Sequence, residues 1–385
     1  MLGTVLEERY KLLKKLHQGQ LTEIYKAQDI KTKGKVAIKL EIFPNDSNIL
    51  SEIQFLSKIY YMQGFPKLLF QGNYRGRHYF GTNYLGKSLK TKFSQTKNKF
   101  SIGCVLRIAE ELLLRIESLH KAEILHRNIK PENILTGYGF NWQILSLINY
   151  SSALLITDTN HPHKRSQAVT NLLYSSVNSM SNTSYSKKDD LESIFYILIH
   201  FCTGKLPWIR EKLTDRQIIR LKEQISTQDL CEGCPNEFVH IISYIKNLKC
   251  DDIPDYEMIR CSLKEISKKK KIIRNYDWVL SHEKMIAKAK TDKSKIPFNW
   301  KLSIKKQAEK IGVIDVFEKK KITFGFATIL KAKSKSPIRN IDEKKEEEAS
   351  LTRSDTPKVD TYPEIQNRVN LFKLRKEFLT QSFPS

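Results

Sequence analysis

The sequence predicts an α+β chain in two parts, a strand-rich first lobe and a helical second one, with a cleft between them. Three observations carry this. Short apolar runs separated by Gly, Asp and Lys turns fill the first part; helical apolar stripes take over from about Ser101; and 40% hydrophobic with 10% aromatic residues is enough for a sizeable core in 385 residues.

The elements follow in order. Tyr10 to Leu16, Ile24 to Ala27 and Val36 to Leu40 are expected strands. Ile49 to Met62 carries apolar residues at Ile49, Ile53, Leu56 and Ile59, a helical stripe. Val105, Ala109, Leu112, Ile116 and Leu119 line one face of a helix ending near His120, and Leu191, Ile194, Phe195, Leu198 and Cys202 line another that is buried on most sides. The ordered region is expected over residues 8–282, its first lobe over 8–84 and its second over 85–282. Residues 283–385 read as a charged, low-order tail around Ser336-Pro337 and Asp342 to Glu348. Within the tail, Ile365, Val369, Phe372 and Leu379 predict a short amphipathic helix over 363–380 that docks on a partner or folds back.

Charge and composition narrow the function. Lys and Arg number 66 against 42 Asp and Glu, a net charge of +24. The excess is +14 up to residue 282 and +10 beyond it, so it is spread along the chain. Such a balance favours acidic or polyanionic partners, although no aromatic-studded nucleic-acid module accompanies it. Lys268 to Lys271, the densest basic run, reads equally as a nuclear signal or as the cationic end of a helix. The apolar stretch Leu191 to Cys202, broken by Glu192 and His200, falls short of the ~18 residues a membrane helix needs. Met1 to Arg9 has no apolar run behind a basic start, and the expected location is cytoplasmic and/or nuclear. Of six cysteines only Cys231 and Cys234 have ligand-like spacing, with no second pair to complete a zinc site.

Four fragments in order carry the chemistry: Val36-Ala37-Ile38-Lys39, His126-Arg127-Asn128-Ile129-Lys130-Pro131-Glu132-Asn133, Leu147-Ile148-Asn149-Tyr150-Ser151, and Asp189-Asp190-Leu191-Glu192-Ser193. Together they resemble a protein kinase. Ala37 to Glu41, Leu85-Gly86 with Ser88-Leu89, Lys187 to Ser193, Leu206-Pro207-Trp208 and Asp251-Asp252-x-Pro254-Asp255-Tyr256 give a closer resemblance to the casein kinase I family. Ser176-Val177-Asn178 stands where that family has Ser-Ile-Asn.

The resemblance implies a bilobal protein-kinase fold and a set of roles. Lys39 matches the strand lysine that reaches the nucleotide's phosphates, with Glu52 as its partner, or with the helix one turn shifted so that Leu56 takes that place. Lys130 and Asn133 match the catalytic-loop lysine and a metal ligand. Ala37 and Leu135 match the ceiling and floor of the adenine slot, and Asn83 and Leu85 lie in the hinge. Asp190 matches the carboxylate that caps the catalytic-loop backbone and also stands where a helix N-cap residue would. Tyr174, Pro207-Trp208 and Asp255-Tyr256 read as packing.

Departures from the family pattern are concentrated where phosphoryl transfer needs charge. Asn128 replaces the aspartate that accepts the substrate proton, a loss worth about 10²–10⁴ in rate. Asn149 replaces the aspartate that holds Mg²⁺, and a neutral amide grips that hard ion weakly. His17, Gly19 and Thr22 stand where Gly-x-Gly-x-x-Gly is expected, and Leu173 replaces an arginine that binds acidic substrates. Glu132 and Asp158 are the carboxylates that could stand in. The expectation is an impaired kinase domain serving as a nucleotide-binding or protein-binding scaffold, with ATP as the nucleotide and Mg²⁺ binding weakened. The competing expectations are an active Ser/Thr kinase using ATP and a basic nucleic-acid or membrane-surface binder.

Overall fold

Alternation along the early strands decides which side chains reach the cleft. In the computed structural model, which describes residues 1–278 apart from 46–47, 159–170, 181–184 and 210–212, a six-stranded antiparallel sheet takes the order β1-β2-β3-β4-β6-β5. Its strands are β1 (Val5–Leu6), β2 (Tyr10–Gln18), β3 (Thr22–Asp29), β4 (Lys35–Glu41), β5 (Leu68–Tyr74) and β6 (Arg77–Asn83). On β4, Val36, Ile38 and Leu40 point into a core with Tyr10, Leu12, Tyr25, Ala27 and Tyr79. Period-two geometry then turns Ala37 and Lys39 to the opposite face. Ala37 pairs with Thr82, and Lys39 with Ile24 on one side and Phe80 on the other.

Helix α1 spans Ile49–Lys58, shorter than the stripe to Met62 suggests. Ile59 caps it, still fully buried, which is why the apolar period runs past the helix end. The chain then turns at Gly64, whose positive φ of 87° lays it against the Arg115 side chain; a Cβ there would fall 1.6 Å from Arg115 Nε.

The second lobe is built on α2 (Leu89–Ser94), α3 (Ile102–Lys121), α4 (Lys187–Thr203), α5 (Asp215–Gln224), α6 (Glu237–Asn247) and α7 (Tyr256–Lys269). Thirteen of the 17 residues of α4 are buried, so it is the central helix of the lobe. Two small antiparallel sheets cross the front of the lobe. They pair β7 (Ile124–Leu125) with β10 (Leu154–Leu155), and β8 (Ile134–Thr136) with β9 (Leu145–Leu147). The strand-rich and helical lobes expected from sequence are thus both present. Among the described residues no helix is long and apolar enough to cross a membrane. The tail from residue 283 and its expected helix over 363–380 lie outside the described residues.

Candidate active site

Lys39 and Glu52 meet across the sheet–helix junction. Glu52 sits in the first turn of α1 and is buried, and its Oε2 forms an ion pair with Lys39 Nζ. This settles the register of α1 in favour of Glu52, with Leu56 one turn on in the core. The other carboxylate oxygen, Oε1, accepts a hydrogen bond from the Tyr150 backbone at 3.1 Å. Glu52 therefore joins β4 to the Asn149-Tyr150-Ser151 segment.

That segment is held from several sides. Tyr150 is fully buried, its hydroxyl donating to Leu147 O at 2.9 Å and its ring against those of Phe65 and His126. Asn149 adopts φ of 71°, a left-handed conformation that asparagine tolerates better than most residues. Its Oδ1 accepts from Lys39 Nζ at 3.2 Å and from Ser151 Oγ at 2.9 Å.

The catalytic-loop segment hangs from Asp190. This fully buried carboxylate accepts from the His126 and Arg127 backbone N–H groups at 2.8 and 3.0 Å and from Tyr185 Oη at 2.8 Å. His120 Nε2 donates to it at 3.0 Å, with Tyr256 Oη 2.5 Å from His120 Nδ1. Burial alone would raise its pKa, but these donors, His120 foremost, hold the carboxyl below the ordinary range. Helix capping falls to Asp189 instead of Asp190: Asp189 Oδ2 accepts from Ser186 N at 2.7 Å. Asp189 also gathers the Ser176–Asn178 segment through Ser176 Oγ at 2.5 Å and Asn178 Nδ2 at 3.2 Å.

Within the loop, the Asn128 N–H donates to His126 Nδ1 at 3.2 Å, so His126 carries its proton on Nε2 and gives it to Ile148 O at 3.1 Å. Burial pushes the His126 pKa down and keeps the ring neutral. Asn133 Nδ2 donates to Asn128 O at 2.8 Å, and Asn133 O receives Ile148 N at 2.9 Å. The loop and the Asn149 segment are thereby bonded backbone to backbone. Asn128 is buried and its Oδ1 has no hydrogen-bond partner among the described residues. Lys130 is half-buried and forms no ion pair among them.

Of the residues matched to the adenine slot, Ala37 on β4 and Leu135 on β8 are both half-buried, and Leu135 bridges to Ser88. Asn83 closes the end of β6 by accepting from Lys67 N at 2.7 Å. Leu85 leads into Gly86, whose N–H bonds Thr136 O at 2.7 Å. A Cβ at Gly86 would lie 2.3 Å from Thr136 Oγ1, so glycine is required for this close approach. Gly19 turns the β2–β3 hairpin with its N–H on Thr22 O at 2.9 Å. His17 and Thr22, at the eroded glycine positions, stand in those strands, His17 paired with Ile24 and Thr22 with Glu41.

Of the two substitute carboxylates, Glu132 pairs through Oε1 with Lys90 on α2 at 2.7 Å, while its Oε2 is buried with no hydrogen-bond partner among the described residues. The Asp158 side chain lies outside the described residues. Leu173 is exposed at 38%, but its carbonyl accepts from the buried Trp208 Nε1 at 2.8 Å. Lys222 escapes a sequence reading because a charged residue in a polar helix reads as part of a solvated face. Lys222 is in fact buried and donates to Leu172 O and Ser175 O at 2.7 and 2.6 Å.

Residues 10–270 match the family model of the protein kinase domain, which is most of the chain, and the chain belongs to that family. Proteins of the family generally bind ATP with Mg²⁺. The Lys39 ammonium is the kind of group that meets a phosphate, and Ala37 and Leu135 are half-buried apolar side chains of the kind that border an adenine. The donor set for the metal does not fit: both side chains matched to metal ligands, Asn133 and Asn149, are neutral amides, and the Asn149 oxygen is already taken by an ammonium and a hydroxyl.

Proposed function

We propose that this chain is a casein kinase I-like kinase domain, over residues 8–282, whose phosphoryl transfer is impaired and which acts as a nucleotide-binding and protein-binding scaffold. The observation that carries the reading is the pair of asparagines, Asn128 and Asn149, in a cleft that keeps the Lys39–Glu52 ion pair. Asn128 has no carboxylate to draw off a hydroxyl proton, and Glu132 gives one of its two oxygens to Lys90. The basic surface and the 283–385 tail provide contacts for acidic partners in the cytoplasm or nucleus.

The second reading, an active Ser/Thr kinase, is favoured by that same ion pair, because Lys39 is already oriented. Transfer of radiolabelled γ-phosphate to a generic acidic protein or to the chain itself decides between them. The unmodified chain is expected to label no faster than Lys39→Met. Restoring both carboxylates in Asn128→Asp/Asn149→Asp is expected to raise transfer by about 10²-fold or more. Labelling by the unmodified chain at ordinary kinase rates, on the order of 1 s⁻¹ and dependent on Lys39, would end the scaffold reading.

A further inference from the structure

We infer that the cleft takes a nucleoside di- or triphosphate as the free anion, and that Mg²⁺ opposes its binding. This rests on the nucleotide-site reading above and concerns the form in which the nucleotide is held.

The Lys39 ammonium has three donors and no acceptor, so it can meet only the oxygen of the Asn149 amide. That oxygen lies 3.2 Å from Lys39 Nζ and also receives Ser151 Oγ at 2.9 Å. Turning the amide over would set its NH₂ against the ammonium and the hydroxyl proton. Charge thus fixes the orientation, and the remaining polar atom of this partly exposed side chain, Nδ2, has no partner among the described residues. An aspartate in this position would give one oxygen to Lys39 and present a second acceptor to a cation. Asparagine presents two N–H donors instead. The polarity of the position is reversed.

The surrounding charge agrees. Lys39 and Lys130 against Glu52 leave this cluster at +1, whereas carboxylates at 128 and 149 would make it −1. A phosphate oxygen placed here meets an ammonium and an amide donor, both of which favour an anion. Mg²⁺ bound to the same phosphates draws off that negative charge and brings a hydrated cation toward N–H groups. The complexed nucleotide therefore loses attraction on both counts.

Titration calorimetry of the full chain with ATP and ADP, in EDTA and in saturating Mg²⁺ at matched ionic strength, tests this. The free nucleotide is expected to bind about tenfold tighter than its Mg²⁺ complex, the effect of about one charge-assisted hydrogen bond. Adenosine, which has no phosphate, is expected to bind equally in both buffers. Asn149→Asp is nearly isosteric and should reverse the order, so that Mg²⁺ then assists ATP. Equal or tighter binding of Mg-ATP by the unmodified chain overturns the inference while leaving a nucleotide site in place. No binding of either form overturns the inference and the nucleotide half of the proposed function together.

Discussion

Replacing Lys222 by methionine is expected to change how the stability of the domain depends on pH. Lys222 lies on α5 with its Nζ between two carbonyls, Leu172 O at 2.7 Å and Ser175 O at 2.6 Å, and 4.8 and 4.7 Å from the Tyr196 and Trp208 ring centres. Burial pushes its pKa down to about 7, despite Glu192, which favours the charged form; Lys246 adds to the depression. A neutral amine has two N–H donors, one for each carbonyl. In the unfolded chain the same amine titrates near its ordinary value of 10.5.

The sign follows from proton counts. Between about pH 7 and 10.5 the unfolded chain holds a proton that the folded one has released, so stability rises with pH; below about 7 both states are protonated and the gain is gone. The slope approaches ~1.4 kcal/mol per pH unit for one proton, so going from about pH 7.5 to 9.5 should stabilise the unmodified chain by about 2 kcal/mol relative to Lys222→Met. For a domain of this size that is a relative Tm gain of roughly 4–8 °C. Thermal unfolding of both chains across this range reads it out, and taking the difference between them removes the titration of the buried tyrosines. A difference that stays flat, or falls as the pH rises, would mean that the Lys222 amine is solvated or paired in the folded state and that the reasoning fails.

Asp190→Ala removes an acceptor from two buried backbone N–H groups, a tyrosine and a histidine. It should cost about 3–5 kcal/mol in urea unfolding near neutral pH. Because the folded pKa of Asp190 is lowered, its contribution is present above the ordinary carboxyl range and lost as pH falls through the folded value; an acid midpoint unchanged in Asp190→Ala would refute this. Gly86→Ala drives a Cβ to 2.3 Å from Thr136 Oγ1 and 2.7 Å from Gly137 O. It should destabilise the domain by about 1–3 kcal/mol and, on the proposed nucleotide-site reading, weaken ATP binding through the displaced hinge, both measurable by thermal shift.

How far the sequence spoke for the fold depends on how each element is buried. β4 was legible because Val36-Ala37-Ile38-Lys39-Leu40 alternates between a core and a cleft. β6 was not, since Tyr79 to Thr82 are all buried and show no period, and β5 carries Gln71, Gly72 and Asn73 through its middle. The candidate site was legible through short motifs, while the partners that hold it were not. The Lys39–Glu52 pair could be proposed from the stripe of α1, but its register needed the structure. Lys222 is a charged residue whose partners are buried carbonyls 50 and 47 positions away in sequence, and no local pattern announces such contacts. Asp189 has a local signal in the capping box with Ser186, but none for its contacts with Ser176 and Asn178.

On the proposed reading, in which aspartates would stand at 128 and 149, the two asparagines explain how a kinase fold persists without those acidic groups. At position 149 the fold needs one acceptor for Lys39 and Ser151 and a residue that tolerates φ of 71°; asparagine supplies both. Only the second terminal atom differs from aspartate, and no described contact uses it. At position 128 the fold uses backbone alone, the N–H to His126 Nδ1 and the carbonyl from Asn133 Nδ2, while the side-chain Oδ1 has no partner. On that reading each asparagine removes a charge from the cleft without removing any hydrogen bond from the described fold. Architecture and chemistry are carried by different atoms of the same residues, and substitution at either position separates them.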